Sequence, residues 1–136
     1  MSYARQMLGT YPADVNLDID ADFLTAVIDA AADCARACDT DTDADLSEPH
    51  LGDMVACIRL CLDCSDICGT TAAVLGRPAN WDSRVIRPLL EACEAICVSC
   101  GAECEQHAPT HAHCRVCAEA CRRCRRACAE FLSIMK

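Results

Sequence analysis

Residues 93–128 read CEAICVSCGAECEQHAPTHAHCRVCAEACRRCRRAC. Nine of these positions are cysteine: Cys93, Cys97, Cys100 and Cys104, then Cys114, Cys117, Cys121, Cys124 and Cys128. The steps are four, three, four in the first run and three, four, three, four in the second. An α-helix turns once every 3.6 residues, so each run sets all of its thiols on one face. Pro109 and Thr110 mark a tight turn between the runs, which predicts two antiparallel neighbours. The rhythm recurs at Cys57, Cys61, Cys64 and Cys68, and in shorter form at Cys34 and Cys38. Four helices with thiols where a bundle normally carries leucine predict an all-α fold. Its expected form is an antiparallel up-down-up-down four-helix bundle with a cysteine-lined core and a short N-terminal extension.

At 136 residues the chain has the size of one domain. Residues 1–19 read as the extension, with Pro12 separating Tyr3 to Leu8 from the first long helix. Helices are expected over about 20–39, 47–72, 82–107 and 111–134. Asp20 or Asp18 suits the first N-terminus, and Ser47 the second, with Pro49 in its first turn. The alternating Asp and Thr of 39–45 read as a solvated loop, or else as an acidic lip that attracts cations. Pro88 falls early in the third helix and predicts a bend at Arg84. Leu24, Val27, Ile28, Ile86, Leu89, Leu90, Phe131 and Leu132 gather at one end as an apolar plug, with Phe23 among the first apolar turns. Arg115, Arg122 and Arg126 are spaced for the outer face, and the cluster Arg122, Arg123, Arg125 and Arg126 is expected to pair with acids of the third helix or of another subunit, or to bind phosphate.

Fifteen cysteines make up about 11 % of the chain, which points to a disulfide scaffold or to a metal site. Met1 to Thr10 does not read as a signal peptide, so the expected compartment is cytoplasmic, where thiols stay reduced. No stretch has the apolar length of a membrane span, and a net charge of −9 disfavours nucleic acid. Helical neighbours three or four apart have β-carbons about 5–6 Å apart, too far for a disulfide without distortion. No single cysteine stands out as an activated nucleophile, so an enzyme is not expected.

Reduced thiols pack as small hydrophobes, but buried thiolates each need a cation. A soft monovalent ion shared between sulfurs leaves little residual charge, which fits several Cu(I) ions per chain. Zinc asks for isolated groups of four thiolates, and an iron–sulfur site for a compact run followed by Pro; neither pattern stands out. A structural or regulatory zinc-thiolate protein is the alternative. His50, Met54, His107, His111 and His113 fall at the end opposite the plug, and imidazole and thioether both take Cu(I). They read as an entrance, although histidine is also common near helix ends. Met54 sits directly above Cys57 on the inner face; the sequence leaves open which imidazoles face inward.

The ladders Cys34-x-x-x-Cys38, Cys57-x-x-x-Cys61-x-x-Cys64-x-x-x-Cys68, Cys93-x-x-x-Cys97-x-x-Cys100-x-x-x-Cys104 and Cys114-x-x-Cys117-x-x-x-Cys121-x-x-Cys124-x-x-x-Cys128 resemble those of the cytosolic bacterial copper storage proteins. The resemblance spans about Asp20 to Met135. It implies many Cu(I) ions held by all fifteen cysteines, partly as thiolate clusters, with histidines at the open end admitting them. It also implies a homotetramer. Family members often carry more cysteines on the first helix, so the two found here imply a lower capacity. A copper chaperone or a small-thiol copper donor is the expected partner.

Overall fold

A computed structural model describes residues 2–135. A short helix α1 (Tyr3–Leu8) precedes four long ones: α2 (Ala21–Leu46), α3 (Val55–Leu75), α4 (Ser83–His107) and α5 (Ala112–Ile134). Single 3₁₀ turns at Leu51–Met54 and Pro78–Asn80 lead into α3 and α4. The long helices form a ring in which α2 lies between α3 and α5, and α4 likewise, while α1 lies against α2. The thiol contacts give the directions. Cys57 meets Cys104, Cys61 meets Cys100, Cys64 meets Cys97 and Cys68 meets Cys93, so α3 and α4 run antiparallel. Cys38 meets Cys117 and Cys34 meets Cys121, so α2 and α5 do too.

The helix boundaries follow local chemistry. The Asp20 carboxylate accepts from the backbone of Asp22 and Phe23 and starts α2. The first helix does not stop at 39. It continues through Leu46, and residues 39–45 are helical rather than a loop. A run of acids at a helix C-terminus opposes the backbone dipole, which is why the sequence reads as a break. The helix persists because Asp41, Thr42 and Asp45 share its inner face and find partners there. Ser47 consequently caps the end of α2 instead of starting the next helix. Pro49 then disfavours helical backbone at Glu48, and α3 begins only at Val55.

Helix α3 reaches Leu75 because its inner stripe continues past Cys68 through Thr71 and Leu75, both fully buried. Asp82 caps α4, and Pro88 lies inside that helix on its exposed side, where the Arg84 carbonyl loses one intrahelical partner to solvent.

Opposite the histidines, Leu24, Val27, Leu75, Ile86, Leu90 and Phe131 form the apolar floor, and Trp81 packs edge-on against Phe131 with ring centroids 5.9 Å apart. Leu89 and Leu132 are half-buried at its rim. Phe23 is 40 % exposed, because α2 turns its stripe through Leu24, Val27 and Ile28. Outside the bundle, Arg122 pairs with Glu105 of α4 at 2.8 Å and Arg123 with Asp33 of α2 at 2.6 Å. Such exposed pairs contribute about 0–1 kcal/mol each. No helix among the described residues is long and apolar enough to cross a membrane.

At Gly101 of α4 the backbone comes close to α5, and an added β-carbon would meet Cys121 Cβ at 3.3 Å. Gly69 of α3 has ordinary room, with Ala35 Cβ at 3.9 Å. Gly101→Val should therefore cost about 1–3 kcal/mol from overpacking. Gly69→Ala should gain about 0.5–1 kcal/mol from helix entropy. Urea unfolding of the reduced chain measures both, and equal effects would contradict this account of the α4–α5 contact.

Candidate metal centre

All fifteen cysteines are free and buried, with no disulfide among them. Each inner stripe delivers its sulfurs to the same axial column. Cross-helix Sγ···Sγ distances are 3.6 Å for Cys68–Cys97 and 3.7 Å for Cys38–Cys117, Cys61–Cys100, Cys68–Cys93 and Cys93–Cys124. Within α3, Cys57–Cys61 is 4.0 Å and Cys64–Cys68 is 3.7 Å. Sulfur also crosses the ring, with Cys61–Cys117 at 3.9 Å and Cys68–Cys124 at 4.0 Å. Helices diagonally opposite in the ring thus meet through thiols. From Cys114 to Cys128 the column is about 21 Å long at 1.5 Å per residue.

These distances are nearly twice a disulfide bond and match non-bonded sulfurs in contact. They also suit shared coordination. Four-donor groups whose atoms all lie within 4.8 Å of one another repeat down the column: Cys38 with Cys61, Cys100 and Cys117; Cys34 with Cys38, Cys64 and Cys121; Cys34 with Cys68, Cys97 and Cys124. Cys93, Cys124 and Cys128 close the lower end as a group of three. Cys34, Cys38 and Cys124 each belong to two groups, so the donors form a continuous array. Without metal the column stays neutral as thiols, because a desolvated thiolate would be very costly.

Two donors that the sequence reading left in solvent lie in this array. Asp41 is 2 % exposed and Asp45 is fully buried. Asp41 Oδ2 accepts from Cys61 at 3.5 Å, Cys104 at 3.6 Å and Cys57 at 3.8 Å, and its Oδ1 from Cys114 at 3.6 Å. Asp45 Oδ1 lies 3.6 Å from Cys114 Sγ. The signal was present. Cys34, Cys38, Asp41 and Asp45 step by four, three, four, like the ladders of α3 and α4. The inner stripe of α2 simply changes from thiol to carboxyl at the open end.

His107, His111 and His113 come together there, with ring centroids 6.0 Å and 5.6 Å apart in succession. Each imidazole leans on an acid. His107 Nε2 is 2.8 Å from Glu103, and His111 Nε2 is 3.7 Å from Glu48. His113 reaches the buried carboxyls: its Nδ1 is 2.5 Å from Asp41 and 3.3 Å from Asp45, and its Nε2 is 2.9 Å from Glu48. Met54 is buried just above Cys57. His50 stays exposed and joins none of these contacts. Glu48 and Glu103 are thus part of the mouth although nothing in their spacing announced it.

The electrostatics follow from burial. Desolvation pushes the Asp41 carboxyl up, and pushes Asp45 up to about 8, aided by its neighbours Cys57 and Asp41. For His113, desolvation works downward, but the carboxylates of Glu48 and Asp41 outweigh it and the net shift is upward. Burial and the Asp41 charge together push the Cys114 thiol up.

A reduced, soft-donor column closed at one end and lined with imidazoles and carboxyls at the other is the construction of a metal-storage bundle. Residues 20–133 match the family model for the copper storage protein, and this chain belongs to that family. The copper storage protein Ccsp of Streptomyces lividans, in a structure loaded with 10 copper equivalents, superposes with a TM-score of 0.92 at 46 % identity, over 97 % of this chain and 99 % of that one. A second structure of a cytosolic copper storage protein from Streptomyces lividans, with five coppers, is 47 % identical with a TM-score of 0.82, over 85 % of this chain and 96 % of that one. The uncharacterized cysteine-rich protein YhjQ of Bacillus subtilis is 36 % identical over 103 residues, 76 % of this chain and 90 % of its own length.

The raised Asp45 carboxyl has a thermodynamic consequence. Unfolded, it would ionise near pH 4; folded, it keeps its proton to about pH 8. The folded state therefore binds more protons between these values, and stability falls as pH rises through that window, by about 1.4 kcal/mol per pH unit for each proton. The raised His113 acts with the same sign, its contribution fading as pH rises above its unfolded value. The urea midpoint of the reduced, metal-free chain should fall from pH 5 to pH 8, and Asp45→Asn should flatten much of that slope. A midpoint that holds level across this range would refute the assignment.

Proposed function

We propose that this chain stores and sequesters Cu(I) in the cytoplasm, many ions per chain, inside its four-helix bundle. The observation that carries the reading is the column of fifteen buried, free thiols, thirteen of which have a sulfur neighbour at 3.6–4.0 Å. Packing alone needs no such array, and a hard or strictly tetrahedral ion would use only part of it. Soft thiolates select Cu(I), and sharing each sulfur between ions keeps the loaded column close to neutral. The copper-loaded Streptomyces lividans relative supports the same cargo. Storage needs no turnover, and no residue of the site is assigned a catalytic role.

The ligands in this reading are Cys34, Cys38, Cys57, Cys61, Cys64, Cys68, Cys93, Cys97, Cys100, Cys104, Cys114, Cys117, Cys121, Cys124 and Cys128. Met54, His107, His111 and His113 receive the ion at the open end and pass it inward by ligand exchange between neighbouring sulfurs. The acids of the mouth raise the local concentration of cations. Each incoming ion displaces thiol protons, so affinity rises with pH. The donor is a copper chaperone or a small thiol, the assembly a homotetramer, and neither nucleic acid nor membrane takes part.

Anaerobic titration of the reduced chain with Cu(I), against a competing chelator, tests the cargo. With sulfurs shared between ions, the expected capacity is about ten or more per chain, with helicity kept throughout. Saturation near three, the number that separate four-thiolate sites would allow, would overturn the reading.

Timed uptake tests the route. Replacing Met54, His107, His111 and His113 together should slow loading about tenfold or more, as expected when positioned ligands are lost, while leaving capacity unchanged. Unaltered rates would remove these residues from the path.

A further inference from the structure

The uppermost donor group differs from those below it: Asp41 Oδ2 joins the sulfurs of Cys57, Cys61 and Cys104, all four residues buried. We propose that this quartet is a preformed Zn²⁺ site, one per chain, that shares its three thiols with the top of the sulfur column. All six donor–donor distances are short. The three sulfur–sulfur edges are 3.8, 4.0 and 4.0 Å, and the three oxygen–sulfur edges are 3.5, 3.6 and 3.8 Å. A tetrahedral zinc ion with sulfur at about 2.3 Å and oxygen at about 2.1 Å requires edges of about 3.8 and 3.6 Å. The side chains therefore stand close to zinc geometry before any ion arrives.

The chemistry of the donors points the same way. Carboxylate oxygen is a hard ligand that Cu(I) does not favour, whereas zinc accepts thiolate and carboxylate together. Three thiolates and one carboxylate carry the same formal charge as the four thiolates of a common structural zinc site. The carboxylate is also oriented. His113 Nδ1 lies 2.5 Å from Oδ1, which leaves Oδ2 turned toward the three sulfurs, the outer support that zinc ligands characteristically have. Three of the four donors belong to α3 and α4, and the fourth to α2, so bound zinc would tie three helices together at the mouth. Cys57, Cys61 and Cys104 would also be needed by copper, so copper entering a zinc-loaded chain would release that single ion.

The test uses the full-length, reduced chain without copper, given one equivalent of Zn²⁺ under anaerobic conditions. X-ray absorption at the zinc edge should find three sulfurs and one oxygen or nitrogen. Competition with a chromophoric chelator should show affinity falling about ten- to a hundredfold or more in Asp41→Asn, while Asp43→Asn, an exposed acid on the same helix, is unchanged. Four sulfurs around the first equivalent would overturn the proposal, and so would equal affinity in Asp41→Asn and the unsubstituted chain. The absorption measurement needs no variant to fold. The copper capacity of the zinc-free chain is read separately, so this site and the storage reading stand or fall apart.

Discussion

Sulfur packed against sulfur is the contact on which this bundle depends. Four inner stripes that would ordinarily interdigitate leucines bring thiols to within 3.6–4.0 Å of one another instead. A thiol buries as a small hydrophobe, so the column can form while neutral. It is also small, and the helices must come close to fill the space. The Gly101 backbone against Cys121 is the local expression of that need. The apolar floor around Leu24, Leu90 and Phe131 holds the ring together where sulfur gives way to hydrocarbon.

The same neutrality explains the two ends. At the floor nothing polar is required, and the aromatic pair Trp81–Phe131 completes the closure. At the mouth the column meets water, and its chemistry changes stepwise from thiol to buried carboxyl to half-exposed imidazole. Asp41 stands at the junction, touching four thiols on one side and His113 on the other. At that point the available donors change from hard oxygen and imidazole to soft sulfur. The mouth is thereby a change of ligand class as well as an opening.

Much of this was legible in the residue spacing. The steps of four and three at Cys57–Cys68, Cys93–Cys104 and Cys114–Cys128 allow one helical face and no other regular arrangement. The hydrocarbon residues of one end and the histidines of the other emerge from running those helices alternately up and down. The reading failed at Asp39–Asp45, where composition suggested solvent. The rule that acids avoid helix C-termini and interiors is sound on average. It was overridden because His113, seventy-two residues away from Asp41, supplies a hydrogen-bonding partner that no local pattern reveals.

By itself the amino-acid order determined that thiols form four stripes, because helical periodicity is a local property of backbone geometry. It determined, for the same reason, that such stripes must face inward to one another. Only the tertiary structure decided which sulfurs are neighbours across the ring, and that two carboxyls complete the stripe of α2. It also decided that His107, His111 and His113 converge while His50 does not. Those relations depend on the distance between groups far apart in the chain, and distance is set only when all four helices have packed.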